Sequence, residues 1–198
     1  MTTSKYRNES PNLQVEGIRD YKINISLPDT VIREVQKFKE EFYNQFGTAK
    51  YLSSEAHISL NLFRVESIPE ITIKKELEQL ISDWKEFDVL ISDFGQFSNS
   101  RTIFLNTSTG DIINLQNHIR TVLRQRVKVA KKYTQALSKP HITIASDINK
   151  DQFDNCWNYY KVKKYTHNLV VNKISVFRVN HSLNEAWPKK VFDVLLKQ

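Results

Sequence analysis

The sequence predicts an α+β protein: two pseudo-symmetric α/β lobes, each with a mainly antiparallel sheet and helices outside, around a central cleft. Two observations carry this. From residue 21 onward, stretches of period-two alternation interleave with stretches at helical spacing. The order strand, helix, strand, helix also occurs twice. Strands open at 21 and 101, helices at Asp29 and Asp111, matching strands carry His57 and His141, and helices follow at Ser67 and Asn149. These offsets all lie between 80 and 84 residues, and Tyr51 and Tyr133 are 82 apart, which a structural duplication explains.

The elements follow in order. YKINISL (21–27) alternates as a half-buried strand, and Asp29 caps a helix with Val31, Val35, Phe38, Phe42 and Phe46 on one face. Gly47 stops that helix. AHISLNLFRV (56–65) is a second strand. Ser67-Ile-Pro-Glu70 reads as a capping box for a helix built on Ile73, Leu77, Leu80, Ile81 and Trp84. Residues 87–91 and 94–98 read as extended. Arg101–Asn106 begins the second round, followed by a helix with Ile112, Leu115, Ile119 and Val122. A basic loop leads to PHITIA (140–145), and Asn149 caps a helix with Phe153, Trp157 and Tyr160. Strands at about 168–179 and 188–196 finish the chain. Residues 1–20 form an aperiodic arm. The remainder, 21–198, is expected to be one bilobal domain, with lobes of about 21–98 and 99–198 and terminal strands free to cross between them.

Composition narrows the class. A 198-residue chain with 40% hydrophobic and 26% charged residues, four Gly and five Pro has enough apolar material for a packed core and too few breakers for a fibrous or disordered protein. The apolar runs are short and interrupted by charge, and the first 20 residues lack a hydrophobic signal segment. Cys156 is the one cysteine, which excludes an internal disulfide and a multi-cysteine zinc site. The expectation is a cytoplasmic, membrane-independent monomer.

The net charge of +7 is local. Between Ile112 and Ser146 lie Arg120, Arg124, Arg126, Lys128, Lys131, Lys132 and Lys139, with no acidic residue; the rest of the chain is balanced. Such a run is ordinarily a solvated face, and its sharper reading is an electropositive wall for a phosphate-bearing ligand.

Each half holds one apolar strand with histidine, isoleucine and then a hydroxyl: His57-Ile58-Ser59 and His141-Ile142-Thr143. Strand periodicity puts imidazole and hydroxyl on one face and the isoleucine on the other. The remaining histidines lack this pattern: His118 lies on a helix, His167 in a basic turn and His181 in a loop, all read as structural or surface residues.

Two H-x-[ST] strands in a duplicated α+β chain resemble the two-histidine (2H) phosphoesterase superfamily, especially its bacterial RNA 2′,3′-cyclic phosphodiesterase/2′-5′ RNA ligase-like group. The resemblance covers about residues 20–180: YKINISLP as the opening strand, HISL and PHITIA as the two motifs, and GQFSNSRTIFLNT as the middle segment. Two departures fall on the substrate side. NLFRV follows the first motif where many relatives carry a glycine-containing turn, and Ser146 follows the second where relatives often have arginine. The resemblance implies catalysis by His57, Ser59, His141 and Thr143 without a metal or other cofactor. It also admits reversible 2′-5′ ligation.

The residue types fit that chemistry. One neutral imidazole can take a proton from the attacking oxygen while the other, protonated, donates to the leaving ribose oxygen. The hydroxyls can hold the non-bridging phosphate oxygens. The sequence contains no HExxH segment, no acidic cluster beside either histidine and no P-loop. Candidate substrate contacts are Tyr51 and Tyr133, which precede the motifs at similar distances, Lys132 and Lys139 near His141, and Arg101 at a strand start. Each also fits an ordinary packing or solvent-facing role. The expected substrate is RNA ending in a cyclic phosphate, or a small cyclic nucleotide. The alternatives are a non-catalytic RNA- or nucleotide-binding module, and a phosphodiesterase that degrades a cyclic oligonucleotide signal.

Overall fold

A computed structural model describes residues 17–66, 68–136, 139–179 and 188–197. Among the described residues, nine strands form two antiparallel sheets. The first contains β1 (Ile18–Ser26), β2 (His57–Glu66), β5 (Thr134–Ala136), β8 (Lys173–Val179) and β9 (Lys189–Leu195) in the order β5-β2-β1-β8-β9. The second contains β3 (Phe87–Phe97), β4 (Thr102–Thr107), β6 (His141–Ala145) and β7 (Thr166–Val171) in the order β6-β4-β3-β7. The chain therefore changes sheet before residue 87 rather than at 98/99, and its terminal strands β8 and β9 return to the first sheet.

The described residues also form four α-helices, α1 (Asp29–Phe46), α2 (Glu70–Ile81), α3 (Gly110–Gln125) and α4 (Lys150–Tyr160). The first helix of each half crosses to the other half's sheet. From α1, Phe38 packs edge-on against Phe94 of β3, and Phe42 stacks on Tyr160 of α4. In exchange, α3 packs on β2 and β5, where the Gln116 amide donates to the Leu60 carbonyl at 2.5 Å. The two sheets thus share one continuous apolar core.

Several boundaries move for local reasons. Pro28 occupies the N-cap position of α1, so Asp29 is the first helical residue, where its charge still meets the positive helix end. Thr109 precedes α3, and Asp111 likewise lies inside its first turn. Asn149 does cap α4, accepting the Asp151 N–H at 3.0 Å. Ser67 lies outside the described residues, and Glu70 instead receives Tyr21 Oη and the Arg178 guanidinium. The two extended segments at 87–98 are one strand, kinked at Asp93, whose φ is 38° and where the register with β4 shifts. The single strand expected at 168–179 is two, β7 and β8, divided at Asn172. The basic loop contains a 3-10 turn and β5. His167 lies on β7 beside Glu34, not in a turn, whereas His181 lies outside the described residues.

The duplication is clearest in the two motif strands. Their burial alternates identically from the histidine: half-buried, buried, half-buried, buried, buried. Each also carries an extra residue immediately after its hydroxyl. Asn24 pairs with Ser59 and Ile23 with Asn61, leaving Leu60 bulged; Phe104 pairs with Thr143 and Ile103 with Ala145, leaving Ile144 bulged. The bulge turns the next residue inward and ends the polar face after the hydroxyl.

Candidate active site

Ile58 and Ile142 are completely buried, so they anchor β2 and β6 in the core and turn His57, Ser59, His141 and Thr143 to the opposite, half-buried faces. The two strands lie against each other. The backbones beside them are tied by a reciprocal pair of hydrogen bonds between Lys50 and Ser146, at 2.9 and 3.1 Å. All four residues of the sequence-predicted quartet therefore stand on the half-buried faces of two strands that pack against each other.

The histidines are held alike. His57 Nδ1 lies 2.8 Å from the Glu55 carbonyl, and His141 Nδ1 lies 2.7 Å from the Lys139 carbonyl, each two residues upstream. A carbonyl only accepts, so each Nδ1 carries the proton and each Nε2 is left as the reactive nitrogen. Burial is the main cause that lowers both imidazoles' pKa values.

Their surroundings differ. His57 Nε2 lies 2.7 Å from Lys22 Nζ. Burial and, second, the Lys22 charge push the His57 imidazole down to about 4. Lys22 is itself pushed down to about 8 by burial. Its charge also acts on His141, together with that of Lys139. His141 instead sits among aromatic rings, edge-on to Phe97 at 5.0 Å and 4.9 Å from the Phe104 centroid. Lys139 Nζ lies 4.8 Å above the Phe104 ring.

Behind the quartet, Asn24 and Ser26 continue the polar face that Lys22 begins on β1. Ser26 Oγ meets Ser175 Oγ of β8, which donates to Asp193 of β9. On the other side, buried Lys39 of α1 donates to the Tyr51 carbonyl at 2.8 Å and the Ser54 carbonyl at 2.6 Å. It thereby fixes the turn that delivers the chain to His57.

The other sequence candidates occupy distinct places. Lys139 is beside His141. Tyr51 is exposed with φ 69°, at the turn held by Lys39. Tyr133, with Lys132 4.7 Å above its ring, helps line a separate cavity of about 350 Å³ with Arg64, Lys128, Ile18 and Ile68. Arg101 is engaged in structure: it pairs with Asp147 at 2.6 Å and donates to the Ile148 carbonyl at 2.5 Å. Within the basic run, Arg126 pairs with Glu76 and Arg124 donates to Thr134, so these two cations are occupied.

Lys22, Phe97 and Phe104 join the site without having stood out in the sequence. The signal for Lys22 was a lysine on the polar face of a strand that becomes the neighbour of β2. Recognising it required knowing which strands pair.

The fold has solved counterparts. LigT of E. coli, crystallised with NADP+, matches with a TM-score of 0.63 at 16% identity, over 91% of this chain and 99% of LigT. TT0787 of Thermus thermophilus matches with a TM-score of 0.64 at 14% identity, over 89% and 97%. A crystal structure described simply as that of a phosphoesterase gives 0.59 at 16% identity, over 91% and 99%. No curated protein matches the sequence. Among the described residues, no helix is long and apolar enough to cross a membrane. The sequence model described as the 2′-5′ RNA ligase superfamily aligns with residues 27–182 and so spans both motif strands and all four helices. The chain belongs to that superfamily, the 2H phosphoesterases.

Proposed function

We propose that this chain is a metal-independent phosphodiesterase that hydrolyses 2′,3′-cyclic phosphates, on RNA ends or on cyclic nucleotides, with His57 and His141 as the acid–base pair. The observation that carries this reading is the matched pair of half-buried imidazoles. Each is locked through Nδ1 to its own strand, with Nε2 left for proton transfer and a hydroxyl two residues on. In hydrolysis, one Nε2 removes a proton from water as the water oxygen bonds to phosphorus. The other, protonated, gives its proton to the ribose oxygen as that P–O bond breaks. Ser59 and Thr143 donate to the non-bridging oxygens, where charge accumulates. Lys139 adds positive charge on the His141 side.

The test is a substrate panel in the presence of EDTA: adenosine 2′,3′-cyclic phosphate, RNA ending in a cyclic phosphate, and a cyclic dinucleotide. The expected result is a phosphomonoester from the first two, abolished in folded His57→Ala and His141→Ala variants. Preference for the cyclic dinucleotide would redirect the reading to a signal-degrading enzyme. Binding without turnover of any member would leave a nucleotide-binding module. Wild-type rates in both alanine variants would defeat the two-histidine mechanism.

A further inference from the structure

Lys22 is the feature of the cleft that neither the motif pattern nor the duplication accounts for. Its counterpart strand in the second half is β4, and there the side chain beside His141 is the ring of Phe104. A half-buried lysine with its ammonium against the reactive nitrogen of a histidine satisfies one donor and leaves the remainder of its charge directed into the cleft. Such a charge is costly to hold among apolar strands unless an anion meets it. The cations around it intensify the field: Lys39 from α1 also acts on His57, and Lys139, which precedes β6, acts on His141.

We infer that Lys22 is a further catalytic group, which grips a non-bridging phosphate oxygen between the two histidines and thereby makes His57 the base and His141 the acid in hydrolysis. This rests on the phosphodiesterase reading above. Lys22 donates to His57 Nε2 and so keeps that imidazole unprotonated. An arriving phosphate draws the ammonium onto its oxygen and releases the Nε2 lone pair to face the attacking water. The water proton passes to His57, the P–O bond to the leaving ribose oxygen breaks, and that oxygen takes a proton from Nε2 of a His141 that solvent has protonated beforehand. Solvent then returns a proton to His141 and removes one from His57, so the atoms balance to cyclic phosphate plus water giving a phosphomonoester. The pseudo-symmetric pair thus acquires a direction from one unsymmetrical lysine.

The experiment follows the ¹⁵N resonances of both imidazoles in wild type and Lys22→Met during titration with inorganic phosphate and with acid, alongside kcat for adenosine 2′,3′-cyclic phosphate. The groups acting on His57 in the acid titration are Lys22, Lys39 and His141, and those acting on His141 are Lys139 and Lys22. The expected results are phosphate affinity weakened at least tenfold in the variant, a rise in the His57 midpoint toward the ordinary histidine value, and a loss in kcat on the order of 100-fold. Should Lys22→Met not fold, Lys22→Gln keeps length and polarity without the charge and is read the same way. Phosphate affinity within twofold and kcat within threefold of wild type would overturn the role of Lys22. If wild type turns over none of the cyclic substrates, the phosphodiesterase reading fails, while the phosphate titration still decides whether Lys22 holds the anion.

Discussion

The ring of Phe104 occupies the space that a side chain on Gly95 would need. A Cβ atom at residue 95 would stand 2.6 and 2.8 Å from two carbons of that ring and 2.9 Å from Asn106 Oδ1. The two residues face each other across β3 and β4, and the same ring lies 4.9 Å from His141. The absence of a side chain on one strand therefore allows an aromatic support for a histidine two strands away.

Gly95→Ala should consequently disturb both stability and the site. The ring is fully buried, so it must shift as a body, and overpacking of this kind costs about 1–3 kcal/mol. A displaced Phe104 moves His141, and a roughly tenfold loss in kcat is expected from misplacement alone. Denaturant midpoints and steady-state rates measure the two effects. Phe104→Leu in the Gly95→Ala background should recover part of the stability. A Gly95→Ala protein equal to wild type in both measurements would refute the packing argument.

The hydroxyls should matter less than the histidines and about equally to each other. Ser59 and Thr143 occupy the same position before the two bulges. Each is expected to donate to one phosphate oxygen. Ser59→Ala and Thr143→Ala should each lower kcat by about 100-fold with little change in stability, whereas Ser59→Thr should retain most activity. Rates of the two alanine variants differing from wild type by less than threefold would remove the hydroxyls from the mechanism.

The residues legible in the sequence were those whose role is repeated or periodic. His57 and His141 stood out because two copies of one pattern fell at one offset, and the buried isoleucines between histidine and hydroxyl followed from strand alternation. Sheet membership was not legible in the same way. β3 reads as the end of the first half yet pairs with β4 and β7, because pairing is decided by long-range packing rather than by chain order. Lys22, Gly95 and Phe104 stayed hidden for the same reason: each acts on a neighbour across a strand pairing. The helix α1 pattern of Val31, Val35 and Phe42 also passed over Lys39, which shares their buried face. A charged residue there breaks the expected periodicity while meeting a local need for hydrogen-bond donors.

Lys39 defines the third prediction. Its ammonium contacts the Tyr51 carbonyl, the Ser54 carbonyl and Ser54 Oγ, the last at 3.2 Å, from a residue only 1% exposed. Burial lowers it to about 8, which still leaves it mostly a cation at neutral pH. Lys39→Met fills the space without supplying donors, so it strands the Ser54 carbonyl at a cost of roughly 2–3 kcal/mol. Because that turn leads into His57, kcat should also fall by about tenfold. A chemical denaturation curve superimposable on wild type would show that the turn holds itself.

Acid should destabilise the protein through His57. In the unfolded chain this imidazole takes its proton near pH 6.5, whereas in the folded cleft, dried by burial and faced by Lys22, it resists protonation down to about pH 4. Between those values the unfolded state binds more protons, so stability falls as pH falls through that window and the contribution is complete only above it. That shift corresponds to at most about 3 kcal/mol, less whatever relaxation and water entry recover. His141 is lowered in the same direction and adds to the slope. Urea denaturation of wild type and His57→Asn at a series of pH values from about 7 to about 4 isolates the effect. The stability difference between the two should shrink steadily as the pH drops, because asparagine stays neutral throughout. A difference independent of pH over that range would mean that His57 titrates normally in the folded protein and that its cleft is wetter than the packing around it implies.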